Sequence, residues 1–212
     1  MPHLLHLDSS IDPERSRSRI VTAAFAEAWR GRGDDFTVTY RDLHARPVPH
    51  LTDAASHWAP RLRRPDAAPP ATESALQQEL IDELLAADVL LVGAPMYNYS
   101  LPSTLKAWID HIHVPGVTTP FGTDDQPMAG RTAVVVTSRG AIYDPGTPRE
   151  GWDHTVPPLR LILDDALGMH VAVVAVNRTL SDFVPALADE AERAAAELAT
   201  AEATVRDLAR SL

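Results

Sequence analysis

The stretch Val89–Ile112, VLLVGAPMYNYSLPSTLKAWIDHI, decides the fold. Val89 to Ala94 is an unbroken apolar run, the pattern of a strand covered on both faces, as in a parallel sheet. The run stops at Pro95. Met96, Tyr97, Asn98 and Tyr99 then put rings and an amide in a turn, which has reason to be there if something flat packs against it. Pro102 suits the first turn of a helix running through Lys106, Trp108 and Ile112. A strand C-terminus that feeds a polar-aromatic loop and then a helix is where open α/β sheets hold their ligands.

The same alternation extends in both directions. Leu4–Leu7 reads as a first strand, Phe36–Tyr40 as a second nearer an edge, Thr132–Thr137 as a fourth and Val171–Val176 as a fifth. Between them, helices are expected over Arg17–Arg32, from a cap at Thr72 or Ser74 to Ala87, over Thr155–Leu167, and over Pro185–Leu212. Asp42–Pro70 breaks the pattern with six prolines, and reads as a functional flap or a short helix wrapped in loops. Crossovers of this kind wind right-handed and cover both sheet faces. The expectation is one domain over residues 1–212, a three-layer α/β flavodoxin-like fold. Its five-stranded parallel sheet has the order 2-1-3-4-5, with the ligand at the switch between the first and third strands.

Composition narrows the function. The chain has 212 residues, 45% hydrophobic and 23% charged, as expected of a globular domain able to bury a core. It has no cysteine, which removes disulfides, thiolate nucleophiles and iron–sulfur clusters together. The net charge of −10 argues against a nucleic-acid partner, because phosphate binding needs a clustered basic face. No apolar run reaches the roughly 18 to 20 residues of a membrane span, and no signal peptide is legible, so the expected location is the cytoplasm. The nine histidines offer no ligand-spaced set, and no metal is expected.

Three loops carry candidate chemistry, and the topology puts them side by side. After the first strand come Ser9, Ser10 and then Ser16-Arg17-Ser18 at a helix start. These supply hydroxyls, free amides, a favourable dipole end and a guanidinium for a phosphate monoester. Ser16 is equally suited to capping the helix. No G-x-G-x-x-G or G-x-x-x-x-G-K-[ST] occurs, so a mononucleotide is favoured over a dinucleotide or triphosphate. Met96–Tyr99 suit the edge and face of a flat heterocycle, or else a hydrophobic plug with Asn98 in an Asx-turn. The loop Ser138-Arg139-Gly140-Ala141 has the small residues needed for a ring to approach the backbone, although Gly140 also suits a plain turn.

With Ser9-Ser10, Ser16-Arg17-Ser18, A-P-M-Y-N at 94–98, Lys106, G-V-T at 116–118 and T-S-R-G at 137–140, the chain resembles the FMN-dependent NADH:azoreductase and quinone reductase family along nearly its whole length. The resemblance implies an FMN flavoprotein in which Ser10 and Ser16–Ser18 hold the phosphate, while Met96, Tyr97, Asn98, Tyr99, Ser138, Arg139, Gly140 and Ala141 line the isoalloxazine. It also implies NADH or NADPH as donor, a quinone or azo compound as acceptor, and a homodimer with its sites in the interface. The flavin would carry the chemistry by a ping-pong hydride transfer, with no catalytic side chain required. Arg17, Tyr99, Thr119, Ala141 and Tyr143 depart from the family pattern, the last three on the substrate side. Tyr143 and His154 are candidate proton donors or gate residues, or else ordinary loop residues. The competing reading is a flavodoxin-like electron carrier, which shares the cofactor site but lacks its own small-molecule acceptor.

Overall fold

The computed structural model, which describes residues 1–212, contains five parallel strands in the order β2-β1-β3-β4-β5, as the alternation predicts. They are β1 (His3–Asp8), β2 (Thr37–Asp42), β3 (Val89–Gly93), β4 (Thr132–Ser138) and β5 (His170–Val176). Asp8 pairs in register with Gly93, and Gly93 with Val136, so the C-terminal ends of the three central strands reach one edge together. The helices are α1 (Arg17–Arg30), α2 (Ala71–Ala86), α3 (Ser103–Ile112), α4 (Val156–Arg160) and α5 (Ala191–Ser211).

Strand periodicity divides the core in two. Leu90 and Val92 of β3 join Leu5, Leu7, Ala133 and Val135 beneath α2, α3 and α4. Val89 and Leu91 join Leu4, Val134 and Val136 on the opposite face, against Phe25 and Trp29 of α1 and Val205 of α5. Alternate residues of an extended chain point to opposite faces, so an apolar run such as VLLVG requires both covers. Burial of large side chains such as Trp29, Phe25 and Trp108 stabilises each cover by about 2–3 kcal/mol apiece.

α1 ends at Arg30 rather than Arg32, and the expected boundaries shift at three further helices. α2 starts at Ala71 behind Pro70, with no side-chain cap; the Ser74 amide already makes the first helical bond to Pro70, so neither Thr72 nor Ser74 caps it. The helix expected over Thr155–Leu167 is α-helical only through Arg160 and widens to a π-helix over Leu161–Ala166. Leu159, Leu163 and Leu167 are all buried at spacings of four, which drift around a 3.6-residue turn. A wider turn keeps them in line. Pro185–Glu190 is a 3-10 segment, and the last α-helix begins only at Ala191. No side chain caps the segment at Val184, and Glu190 is drawn instead to Arg178 (Oε2–Nε 2.5 Å).

The long Asp42–Pro70 connection contains 3-10 turns at Ala54–His57 and Pro60–Leu62 within loops. Buried Gln77 pins it by donating to the Ser56 and His111 carbonyls at 2.9 and 3.1 Å. No helix is long and apolar enough to cross a membrane.

Candidate functional site

The loop between β1 and α1 is organised around unspent donors. Ser9 is buried and committed, its hydroxyl donating to the Gly93 carbonyl at 2.6 Å. Ser16 caps α1 by accepting from the Arg19 amide at 3.4 Å, and its hydroxyl lies 3.0 Å from that of fully buried Ser18. The amides of Ser16, Arg17 and Ser18 find no acceptor in the protein. They sit at the positive end of a 14-residue helix, an arrangement suited to an anion. Asp12 stiffens the approach by accepting from the Arg15 and Glu14 amides at 2.9 and 3.0 Å; these bonds, the Arg15 amide first, hold its carboxyl below the usual range.

A second layer lies beneath. Arg19 donates to the Ser10 carbonyl at 2.7 Å and to both Asp42 oxygens at 2.7 and 3.0 Å. Burial alone would raise the Asp42 carboxyl, but Arg19 and the Ala45 and His44 amides outweigh it and hold it at about 2. Behind this pair, buried Asp8 accepts from the Thr22 hydroxyl at 2.9 Å and the Tyr40 hydroxyl at 3.2 Å. Burial and the nearby carboxylates of Asp8 and Asp42 push Tyr40 up to about 12. The packing of Asp8 requires glycine at 93, since a Cβ there would lie 2.5 Å from the Asp8 Oδ1.

The β3 loop folds back on itself. Tyr97 and Ser100 exchange backbone bonds of 2.9 and 3.0 Å around Asn98 (φ 50°) and Tyr99 (φ 71°). Two central residues with positive φ make a type I′ turn, rather than the Asx-turn considered from sequence; asparagine tolerates this, and tyrosine adopts it under strain. The turn aims the Tyr97 hydroxyl at the first loop. It accepts from the Ile11 amide at 3.0 Å and lies 3.0 Å from the Ser10 hydroxyl. Tyr99, half-exposed, meets Trp152 and Tyr143 edge-on at centroid distances of 5.7 and 6.5 Å. His154 is exposed, and its backbone holds the turn by donating to the Tyr99 carbonyl at 2.8 Å.

At the end of β4, Ser138 accepts from the Met96 amide at 2.9 Å through its carbonyl, locking the β3 loop to this strand end. Arg139 is nearly buried and its guanidinium is spent on framing the loop, with bonds to Asn177 (2.8 Å), Asp144 (2.8 Å) and Asp153 (3.2 Å). Gly140 makes room for Leu180, whose Cγ would be 2.9 Å from an added Cβ.

These loops enclose a cavity of about 220 Å³. Of the residues expected from sequence, Ser10, Ser16, Arg17, Met96, Tyr97 and Ser138 line it. Ser18 lies behind Ser16, and Asn98, Tyr99 and Arg139 do not line the cavity; Asn98 and Tyr99 form an exposed turn beyond Tyr97. Gly140 and Ala141 line a neighbouring cavity of about 390 Å³ that also includes Leu180 and Arg149. Thr119 is buried away from solvent, whereas Phe121 is exposed against Trp58. Sequence reasoning missed Thr179, Asp182 and Phe183, from the turn after β5, which complete the first cavity's wall. Nothing local marks these residues. Only the position of β5 beside β4 brings them there.

A doubly wound sheet of this order, with its loops gathered at the β1/β3 switch, defines the flavodoxin-like class of α/β proteins. A family model described as a flavodoxin-like fold matches residues 2–205. The chain belongs to that family, and it is similar along its whole length to proteins named FMN-dependent NADH:quinone oxidoreductase. The one from Kineococcus radiotolerans is 59% identical over 212 residues, covering 100% of both chains. The one from a Parafrankia species is 42% identical, covering 99% of each. Among solved structures, an azoreductase from Bacillus anthracis has the same fold, with a TM-score of 0.81 at 17% identity over 100% of both chains. So does an FMN-dependent NADH-azoreductase from the same species in complex with FMN, with a TM-score of 0.78 at 19% identity over 99% of this chain and 98% of that one.

Proposed function

We propose that this chain is an FMN-dependent NAD(P)H oxidoreductase that reduces quinones, azo compounds or both, acting as a single FMN-binding domain. The observation that carries the reading is the set of unspent amides at the start of α1, where Ser16 and Arg17 line one cavity with residues of the β3 and β4 loops. The donor chemistry fits FMN. Three unbonded amides, the Ser10 and Ser16 hydroxyls and the Arg17 guanidinium suit a terminal phosphate. Met96, Tyr97 and the half-exposed Tyr99 present polarisable and aromatic surface for a flat ring. Full-length identity of 59% to a protein named FMN-dependent NADH:quinone oxidoreductase supports the NADH and quinone parts of this reading.

Bound FMN supplies the hydride chemistry, which lets donor and acceptor use one place in turn. The protein's own residues bind and orient. The Asn98, Tyr99, Gly140 and Ala141 amides make no bond inside the protein and are available to the negative edge of a reduced ring. Ser18 supports Ser16 from behind, and Arg139 acts through the loop it frames. The aromatic rim of Tyr99, Tyr143 and Trp152 excludes water from one side and gives a planar acceptor a surface to stack on.

The chain acts as a homodimer in the cytoplasm. The exposed Trp58–Phe121 pair, with ring centroids 5.4 Å apart, supports a subunit contact, because aromatic surface left open on a monomer marks an interaction face. The test is a titration of apoprotein with FMN and with riboflavin. FMN should bind more tightly, and replacing Ser16 and Ser18 by Ala should weaken FMN at least tenfold while sparing riboflavin. Equal losses for both ligands would refute the phosphate assignment.

A further inference from the structure

The turn after β5 forms one wall of the cavity, and two arginines tie it to the opposite wall. Arg17 donates side-on to Asp182, from Nε to Oδ2 at 2.9 Å and from Nη2 to Oδ1 at 2.6 Å. The Arg15 guanidinium lies 5.2 Å from the ring centroid of Phe183. All four residues line the cavity, so these contacts cross the end of it formed by the start of α1.

The turn is also fixed at its root. The Thr179 amide donates to the Arg139 carbonyl at 3.2 Å, and Leu180 sits over Gly140. Arg178 enters the turn in the left-handed region (φ 60°) and is held there by Glu190 and Glu197. A non-glycine residue keeps that conformation only when its surroundings impose it.

The guanidinium has two edges, and Asp182 occupies one. Nη1 of Arg17 makes no bond within the protein. Because the fork is planar and rigid, fixing the Nε/Nη2 edge also fixes where Nη1 points.

We propose that Asp182 is a positioning residue and that Arg17 is the clasp it sets: Asp182 holds one edge of the Arg17 guanidinium so that Nη1 meets the phosphate of bound FMN. This rests on the FMN reading above. The clasp joins the β1 and β5 loops across the phosphate, which selects the phosphorylated flavin and slows its release. It also places the Arg17 charge between two anionic groups that would otherwise repel each other. The contact is part-exposed, so salt should loosen it.

The test is flavin release from reconstituted protein, followed by recovery of flavin fluorescence, at low and high salt. Arg17→Gln and Asp182→Ala should each speed FMN release about tenfold and leave riboflavin release unchanged. The double variant should be no faster than Arg17→Gln alone, since both changes undo one contact. Asp182→Glu should restore slow release, and high salt should erase most of the difference between wild type and the single variants. Unchanged or slower FMN release from Asp182→Ala would overturn the proposal, because Asp182 would then be neutral or merely oppose the phosphate. Multiplying effects in the double variant would overturn it as well. Failure of wild type to bind any flavin would overturn the FMN reading, and the clasp with it. Binding without coupling between residues 17 and 182 overturns the clasp alone.

Discussion

Arg19 donates to the Ser10 carbonyl at 2.7 Å while gripping both oxygens of Asp42, so the entrance of the β1 loop is fastened to the end of edge strand β2. One side chain thus sets the loop that faces the cavity without lining it. Arg19 Nη1 also lies 3.8 Å from the Asp8 Oδ2, so replacing Arg19 by Gln should strand both Asp42 and Asp8 without their counter-charge. The expected cost is about 2 kcal/mol, seen as a lower midpoint in denaturant melts. Adding Asp42→Asn should recover part of the loss, since it removes one uncompensated carboxylate.

Gly93 and Asp8 give a second prediction. A methyl group at position 93 would meet the Asp8 Oδ1 at 2.5 Å and the Thr22 Cγ2 at 3.3 Å. Both neighbours are buried, and Asp8 is held by two hydroxyls, so neither moves freely. Gly93→Ala should cost about 2 kcal/mol through overpacking, measured by chemical unfolding.

The β3 turn supplies a third. Asn98 sits at φ 50° in the type I′ turn. Asn98→Ala should destabilise the protein by about 1 kcal/mol, whereas Asn98→Gly should be close to neutral. Thermal melts of the two variants give the comparison. If the alanine variant melts with wild type, the left-handed turn is not what position 98 requires.

Glu73 couples the long connection to α2 in a pH-dependent way. It accepts from the Thr52 amide (2.8 Å), the Thr52 hydroxyl (2.7 Å) and the Ser56 hydroxyl. Burial would raise its carboxyl, but the Ser56 and Thr52 donors outweigh that and hold it at about 2. A depressed folded value means the contribution is complete above the unfolded value of about 4.3 and is lost as pH falls toward 2. Protection of the amides at residues 52–56, taken relative to free-peptide exchange at the same pH, should therefore fall over that window. Glu73→Gln should abolish that pH-dependent loss of protection.

Much of the fold was legible because its signals are periodic. The β3 run Val89–Val92 forced two covered faces, and the alternating strands then left one sheet order as the natural choice. Ser10, Ser16, Arg17, Met96, Tyr97 and Ser138 were legible as candidate cavity residues because each lies at the end of a strand that reads clearly or in the loop and helix start that follow it. Asp182 and Phe183 were not, since they follow an edge strand and reach the cavity only through sheet order. The commitment of Arg139 to three side-chain partners was equally hidden, because Asp144, Asp153 and Asn177 are remote from one another in sequence. The late start of α5 and the π-turn at Leu161–Ala166 depend on tertiary choices, an ion pair and a buried leucine line.

The most direct test of the central claim is anaerobic rapid mixing of FMN-loaded protein first with NADH and then with a quinone. Flavin absorbance should be lost on adding NADH and return on adding the quinone, as two separate steps. Absence of flavin absorbance at saturating FMN, or bound flavin that NADH leaves oxidised, would contradict the account.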